Sequence, residues 1–117
     1  MAPMKWLEST AELQVNYFGG HPAELPPLDR IDWARNMVLG LIVEATEVLA
    51  EVKGWKWWDM GDPDVFDRDA YLEELVDVVH FVGALAIAAN VTDEEWTAAY
   101  ARKTEINKQR RRDHHAD

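Results

Sequence analysis

The chain contains 117 residues, of which 48% are hydrophobic and 29% are charged, and it has no cysteine. This length suits a modest core, so we expect a single domain over residues 1–117. The lack of cysteine excludes a disulfide framework, a thiolate metal site and a thiol nucleophile. It also fits a reducing compartment, and we therefore expect a cytoplasmic protein.

The net charge of −10 is unevenly distributed along the chain. Residues 1–99 hold 6 Lys and Arg against 19 Asp and Glu, whereas residues 100–117 hold 6 against 3. An acidic body is not the footprint of a nucleic-acid-binding protein, so no nucleic-acid partner is expected. The longest apolar run, about 15 residues at 75–89, contains Asp77 and His80 and is too short and polar to span a membrane.

Two helices are predicted in the first half of the chain. The first runs over about residues 4–18 and stops at Gly19-Gly20, before a loop rich in proline and glycine. The second runs over about residues 30–53, with Asp29 as its predicted N-cap and Gly54 directly after its end. A polar and aromatic loop, WKWWDMGDPDVFDRD, follows.

Two more helices are predicted in the second half. The third covers about residues 70–89, with Asp69 as its cap and Asn90 at its end. The fourth opens with the capping-box pattern TDEE and runs over about residues 92–112. No stretch of useful length alternates polar and apolar residues with the period of two that is typical of a strand. The predicted class is therefore all-α, a bundle of about four helices that is completed by oligomerisation.

The third helix carries acidic residues in an otherwise apolar segment. Within residues 75–89 only Asp77 and His80 are polar, and such a helix is expected to be buried in a core or a subunit interface. A buried carboxylate must be paired, protonated or bound to metal, because its desolvation is costly. Glu74 lies three residues before Asp77, on the same helix face.

A second acidic set lies on the second helix. Glu44, Glu47 and Glu51 form one stripe, which continues backwards through Gly40, Met37 and Trp33. One such acidic pair alone is usually a solvated helix face. Two sets on otherwise apolar helices indicate facing carboxylates with cations between them, and an all-oxygen ligand set suits Mg²⁺, with Mn²⁺ as a substitute.

The last helix carries a stripe that changes from aromatic to cationic. Trp96, Tyr100, Lys103, Asn107 and Arg110 recur at intervals of four, three, four and three residues. These cations could simply lie along the helix with their charges in solvent. With an acidic metal site in reach, contact with substrate phosphates is the better interpretation.

The acidic motif resembles that of the all-α NTP pyrophosphatases, which include MazG-type enzymes and the all-α dUTPases. The shared pattern is ExxE at 44–47, a gap of 26 residues, and ExxD at 74–77. WKWW at 55–58, EELVDVVHF at 73–81 and the Lys-Asn-Arg series resemble the dUTPase branch, and ELQVN at 12–16 weakly resembles its base-contacting segment. The chain is shorter than the larger dimeric dUTPases and lacks the tyrosine expected after the Lys-Asn-Arg series.

This resemblance implies a role for each matching residue. The metal ligands would be Glu44, Glu47, Glu74 and Asp77, and Glu47 would also activate the attacking water. The substrate contacts would be Lys56, Lys103, Asn107, Arg110, Gln14, Asn16 and Trp58, the last as one of four tryptophans able to stack on a base. Around the metal ligands would lie Glu51, Glu73 and His80, although a histidine on an apolar helix is more often a core residue.

Three functions remain open from the sequence. The resemblance favours an Mg²⁺-dependent hydrolase that converts dUTP to dUMP and pyrophosphate, working as a homodimer or homotetramer. A MazG-like hydrolase of another dNTP, or one of broad specificity, is the alternative, because the metal motif does not distinguish bases. A non-catalytic acidic interaction module is the third, and it would leave the acid on the apolar helix unexplained.

Overall fold

The computed structural model describes residues 5–52, 58 and 65–115. These residues form four α-helices: α1 (Trp6–Tyr17), α2 (Pro27–Ala50), α3 (Arg68–Ala88) and α4 (Asp93–His115). A short 3₁₀ turn, Pro22–Glu24, lies between α1 and α2. No strand occurs in the described ranges, so the predicted all-α class and the number of helices are confirmed.

Helix α2 begins earlier than predicted. It starts at Pro27, whose ring fixes a helical φ and whose missing N–H would have no partner in the first turn. Asp29 was predicted as the N-cap, and this is wrong, because the residue lies inside the first turn. There its charge interacts favourably with the positive end of the helix dipole. The predicted Gly54 stop lies outside the described residues.

Helix α3 has the predicted type of N-cap at a different residue, and α4 begins with the predicted capping box. Asp67, not the predicted Asp69, caps α3, since its Oδ1 accepts a hydrogen bond of 3.0 Å from the backbone N–H of Ala70. The two groups of the capping box meet as predicted: the N–H of Thr92 donates to Glu95 Oε1, and the N–H of Glu95 donates to Thr92 Oγ1, both at 3.1 Å. Asn90 takes a φ of 58° after α3, a conformation that asparagine tolerates.

The start of α4 is fastened to the start of α1. Asp93 Oδ1 accepts a hydrogen bond of 2.9 Å from the N–H of Leu7, and its Oδ2 accepts one of 3.2 Å from the N–H of Glu8. The residue before α1, Lys5, supplies no side-chain cap of its own. Trp6 and Trp96 meet edge to face with ring centres 4.9 Å apart. A residue 86 positions away therefore completes the N-terminus of α1.

Helix α3 packs against both α1 and α2, but the core that results is small. In the described part of the chain, the buried apolar side chains include Leu7, Pro22, Ala84, Ile87 and Ala88. The accessible surface of 9040 Å² compares with about 6,500 Å² expected for a monomer of this mass. The radius of gyration is 17.9 Å, where a compact chain of this length has about 13 Å.

Much apolar surface therefore remains open in the single chain. Exposed aliphatic side chains occur on α2 and on α3, among them Leu39, Ile42, Val76 and Val79. The single chain buries α3 only near its end, at Gly83, Ala84, Ile87 and Ala88, and leaves Asp77 exposed. Burial of the rest of this helix in a subunit interface stays a prediction. Within the described residues, no single helix is long and apolar enough to cross a membrane; α3 and α4 pass that test of length and composition only as a pair bent by 110°.

Replacing Asp93 with alanine should lower the melting temperature. The change removes both acceptors at the start of α1, and losing a helix cap costs about 1–2 kcal/mol. For a chain of this size that corresponds to a fall of roughly 4–12 °C in a thermal melt followed by circular dichroism. Glu94→Ala, at an exposed neighbour in the same turn, is the control, and an equal fall in both variants would contradict the cap.

Candidate metal and nucleotide site

Three carboxylates from two helices meet on the described surface between α2 and α3. Glu44 of α2 and the pair Glu74 and Asp77 of α3 each offer a carboxylate oxygen, and these three oxygens lie within 4.8 Å of one another. The spacing of three residues places the two α3 acids on the same face. The contact between the helices then brings Glu44 to that face, as the sequence predicted.

Glu47, the fourth predicted ligand, lies one turn further along α2. It is exposed, and it does not belong to the group whose oxygens come within 4.8 Å of one another. Its charge nevertheless reaches the group, because it raises the pKa of both Glu44 and Glu74. Glu47 therefore lies beside the three acids, where its exposed carboxylate can contact a bound ligand or a water molecule.

The acids repel one another. Burial, followed by the charges of Asp77 and Glu47, raises the pKa of Glu44 above its usual value. Burial also raises the pKa of Glu74, and the charge of Glu47 is the next largest cause, ahead of the other neighbouring carboxylates. Both residues are half-buried.

The ion pairs that lysine and arginine side chains form within the described residues do not involve the clustered acids. Ion pairs in the described part of the chain join Lys5 to Glu8, Arg35 to Asp32 and Lys108 to Glu105, all on exposed helix surfaces. Glu74 Oε2 is buried and has no hydrogen-bond partner there. The carboxylate oxygen removed from solvent thus belongs to Glu74 and not to Asp77, which the sequence predicted to be buried.

These residues fit a hard divalent cation. A buried carboxylate oxygen without a donor is costly, and a bound cation would satisfy it. The donors are all oxygens, which Mg²⁺ and Mn²⁺ prefer to softer ligands. Glu44, Glu74 and Asp77 would hold the ion.

A cleft of about 480 Å³ opens beside the acids, between α1, α2 and α3. Glu44 and Asp77 form part of its wall, and Gln14 adds one amide. The rest of its lining is mainly apolar or aromatic: Leu13, Phe18, Trp33, Met37, Phe81 and Ala84, with Thr10 and His80. Such a cleft suits a ligand that joins a flat ring to an anionic, metal-binding group.

The predicted substrate contacts are only partly brought together. Gln14 lines the cleft, whereas Asn16 is exposed and lies outside its lining. Trp58 is 62% exposed, and Lys56 lies outside the described residues. The predicted phosphate contacts on α4 are exposed: Lys103, Asn107 and Arg110.

The residues predicted around the metal ligands divide in the same way. Glu51 is half-buried and contributes to the raised pKa of Glu74, while Glu73 is exposed. His80 is an exposed residue at the cleft wall and not a core histidine.

Two aromatic residues of the cleft, Phe18 and Phe81, were not predicted from the sequence. Phe81 follows Asp77 by four residues, and that helical spacing could have identified it.

Neutralising Glu74 should stabilise the metal-free protein. Glu74→Gln keeps the shape and removes one repelling charge, so its melting temperature should exceed that of the wild type by a few degrees at neutral pH. Because the pKa of Glu74 is raised, the repulsion is absent at low pH and grows as the pH rises from 4.5 through the raised pKa.

The same variant should lose the response to metal. Millimolar Mg²⁺ should raise the wild-type melting temperature, because an ion that binds only the folded state stabilises it by mass action. Sodium chloride of equal ionic strength controls for screening. A Glu74→Gln protein that responds to Mg²⁺ like the wild type would remove this carboxylate from the metal site.

Comparison with known proteins agrees with this geometry. A family model described as dUTPase matches residues 12–111, a range that includes the three clustered acids and all of the cleft lining except Thr10. No curated protein and no solved structure is significantly similar to the chain. The match covers most of the sequence and the helical fold agrees with the all-α branch, so the chain belongs to the dUTPase family of nucleotide hydrolases.

Proposed function

We propose that the protein is a dUTP diphosphatase, which uses Mg²⁺ to hydrolyse dUTP to dUMP and pyrophosphate. The observation that carries the proposal is the meeting of Glu44, Glu74 and Asp77 at the wall of an aromatic cleft. A nucleoside triphosphate has a matching division, with a flat base at one end and a metal-binding polyanion at the other.

The reaction adds water across the anhydride bond between the α- and β-phosphates. The metal, when bound, neutralises charge that develops on the phosphate oxygens. Glu47, exposed beside the three acids, accepts a proton from the attacking water, and the bridging oxygen leaves with pyrophosphate. Its carboxylate is free for this role because the three oxygens that meet come from the other acids.

The base and sugar occupy the cleft. Its rings, from Phe18, Trp33 and Phe81, supply flat apolar surface, and Gln14 supplies an amide for the polar edge of a base. Asn16, Lys56 and Trp58 remain predicted contacts. The lining contains few polar groups other than the acids, which favours a MazG-like enzyme of broader specificity as the second candidate.

A pyrophosphate-release assay across the dNTPs, with and without Mg²⁺, tests this function. We expect kcat/KM to fall from dUTP to dTTP or dCTP and then to the purine dNTPs. Apolar contacts rarely reject an added methyl group by more than about 10- to 200-fold, so the step to dTTP should be moderate. A preference for dATP or dGTP would select the broader alternative, and the absence of metal-dependent hydrolysis would favour the interaction module.

Charge-neutral variants test the assigned acids in the same assay. Asp77→Asn and Glu47→Gln should abolish turnover while leaving the helical circular dichroism unchanged. Glu94→Gln, an exposed acid at the start of α4, is the matched control and should retain activity. Wild-type activity in Asp77→Asn would exclude that residue from the metal site.

We further propose that the chain works as a homo-oligomer, a dimer or a tetramer. The surface in excess of a compact monomer is about 2,500 Å² per chain, or about 5,000 Å² for two chains, and permanent subunit interfaces bury about 2,000–5,000 Å² over both partners. An apolar groove of about 420 Å³ between α1 and α3, lined by Leu13, Leu72, Val76 and Val79 among others, offers one place for a second copy.

The direction of α4 supports a role for that second copy. Helix α4 leaves α3 at a bend of 110°, so the helix axes at Asp77 and Arg110 are about 25 Å apart at a rise of 1.5 Å per residue. An arginine side chain does not span that distance. In an oligomer, α4 of one copy can bring Lys103 and Arg110 to the acids of another.

A mixed oligomer tests this arrangement. Arg110→Ala alone should reduce kcat/KM by at least about tenfold, which corresponds to ~1.4 kcal/mol. Asp77→Asn and Arg110→Ala chains carrying different tags are coexpressed and purified through both tags. If α4 acts across copies, half of the sites in a mixed dimer are intact and activity returns. If both groups act within one chain, every site keeps one defect and activity does not rise above the residual level of the Arg110→Ala chains.

A further inference from the structure

Helix α2 has no side chain at the point where Phe81 of α3 crosses it. A Cβ built on Gly40 would overlap Cε1 of the Phe81 ring and lie 2.8 Å from its Cζ. Real Cβ atoms do not approach carbon atoms so closely, so the ring can rest here only because residue 40 is glycine. Apart from proline, glycine is the residue that least favours a helix interior, so its presence in the middle of α2 needs a structural reason.

This contact lies beside the cleft. Met37 and Glu44, three residues before and four after Gly40, both line the cleft, and so does Phe81. Gly40 belongs to the same helical stripe but does not line the cleft. The Phe81 ring is therefore a wall of the cleft that is held against the backbone of α2.

We propose that Gly40 is a positioning residue that sets the width of the cleft by seating Phe81. A side chain at position 40 displaces the ring from α2. Because Phe81 lines the cleft, a displaced ring alters the space for the base. Asp77 lies one helical turn before Phe81, and its backbone, like that of the other acids, does not need to move. The effect of Gly40 on KM rests on the proposed function, because that function places the nucleoside in the cleft.

Gly40→Ala is compared with Phe81→Leu and with the double variant. Gly40→Ala should raise KM for dUTP about tenfold, leave kcat within about twofold and leave the Mn²⁺ affinity in a calorimetric titration unchanged. In the Phe81→Leu background, which lacks the ring, the added Gly40→Ala change should have little further effect on KM. Equal effects of Gly40→Ala in both backgrounds would mean that it does not act through the ring, and would overturn the inference.

Gly83→Ala is the matched control. It adds a methyl group at a helical glycine on α3, where the new Cβ would come within 2.9 Å of Trp6 and of the cleft residue Thr10 instead of Phe81. We expect it to lower the melting temperature and to raise KM for dUTP by less than Gly40→Ala does, because the Phe81 ring keeps its position against α2. If it raises KM as much as Gly40→Ala does, general repacking explains both variants and the inference is overturned.

A crystal structure of Gly40→Ala separates this inference from the proposed function. The inference requires the Phe81 ring to move away from α2, whichever nucleotide the enzyme accepts. An unmoved ring would overturn it even if dUTP is the substrate. If the ring moves but the protein does not hydrolyse dUTP, the role of Gly40 in positioning Phe81 is supported and the proposed substrate is rejected.

Discussion

The contact between α2 and α3 is the arrangement on which the site depends. It brings Glu44 to the face that carries Glu74 and Asp77, and the three oxygens come within 4.8 Å of one another. Like charges at this distance repel, and burial makes Glu74 and Glu44 harder to ionise. The free energy for holding them together comes from helix packing, and a divalent cation would convert the repulsion into attraction.

The same contact shapes the cleft. Gly40 on α2 leaves room for the Phe81 ring where the two helices meet, and Ala84 of α3 also lines the cleft. Phe81 occupies the space above Gly40, one turn from Asp77. An acidic group and an apolar wall therefore share one surface, which is the arrangement that a metal-bound nucleotide requires.

The remainder of the chain is open. The core contains few side chains, and α4 is fastened mainly through its first turn, by Asp93 and the Trp6–Trp96 contact. Beyond that turn, Lys103 and Arg110 are exposed. The acids belong to two packed helices, whereas the predicted phosphate contacts belong to a projecting helix. A second copy is therefore proposed to bring the two together.

The sequence by itself determined the four helices, the capping box at Thr92 and Glu95 and the shared face of Glu74 and Asp77, because these follow from spacing within a helix. Tertiary structure decided the features that depend on distant residues. It removed one oxygen of Glu74 from solvent but left Asp77 exposed, brought Asp93 to cap α1 and set the bend of 110° between α3 and α4. A helical repeat shows which residues share a face, but the burial of that face depends on the helix that packs against it.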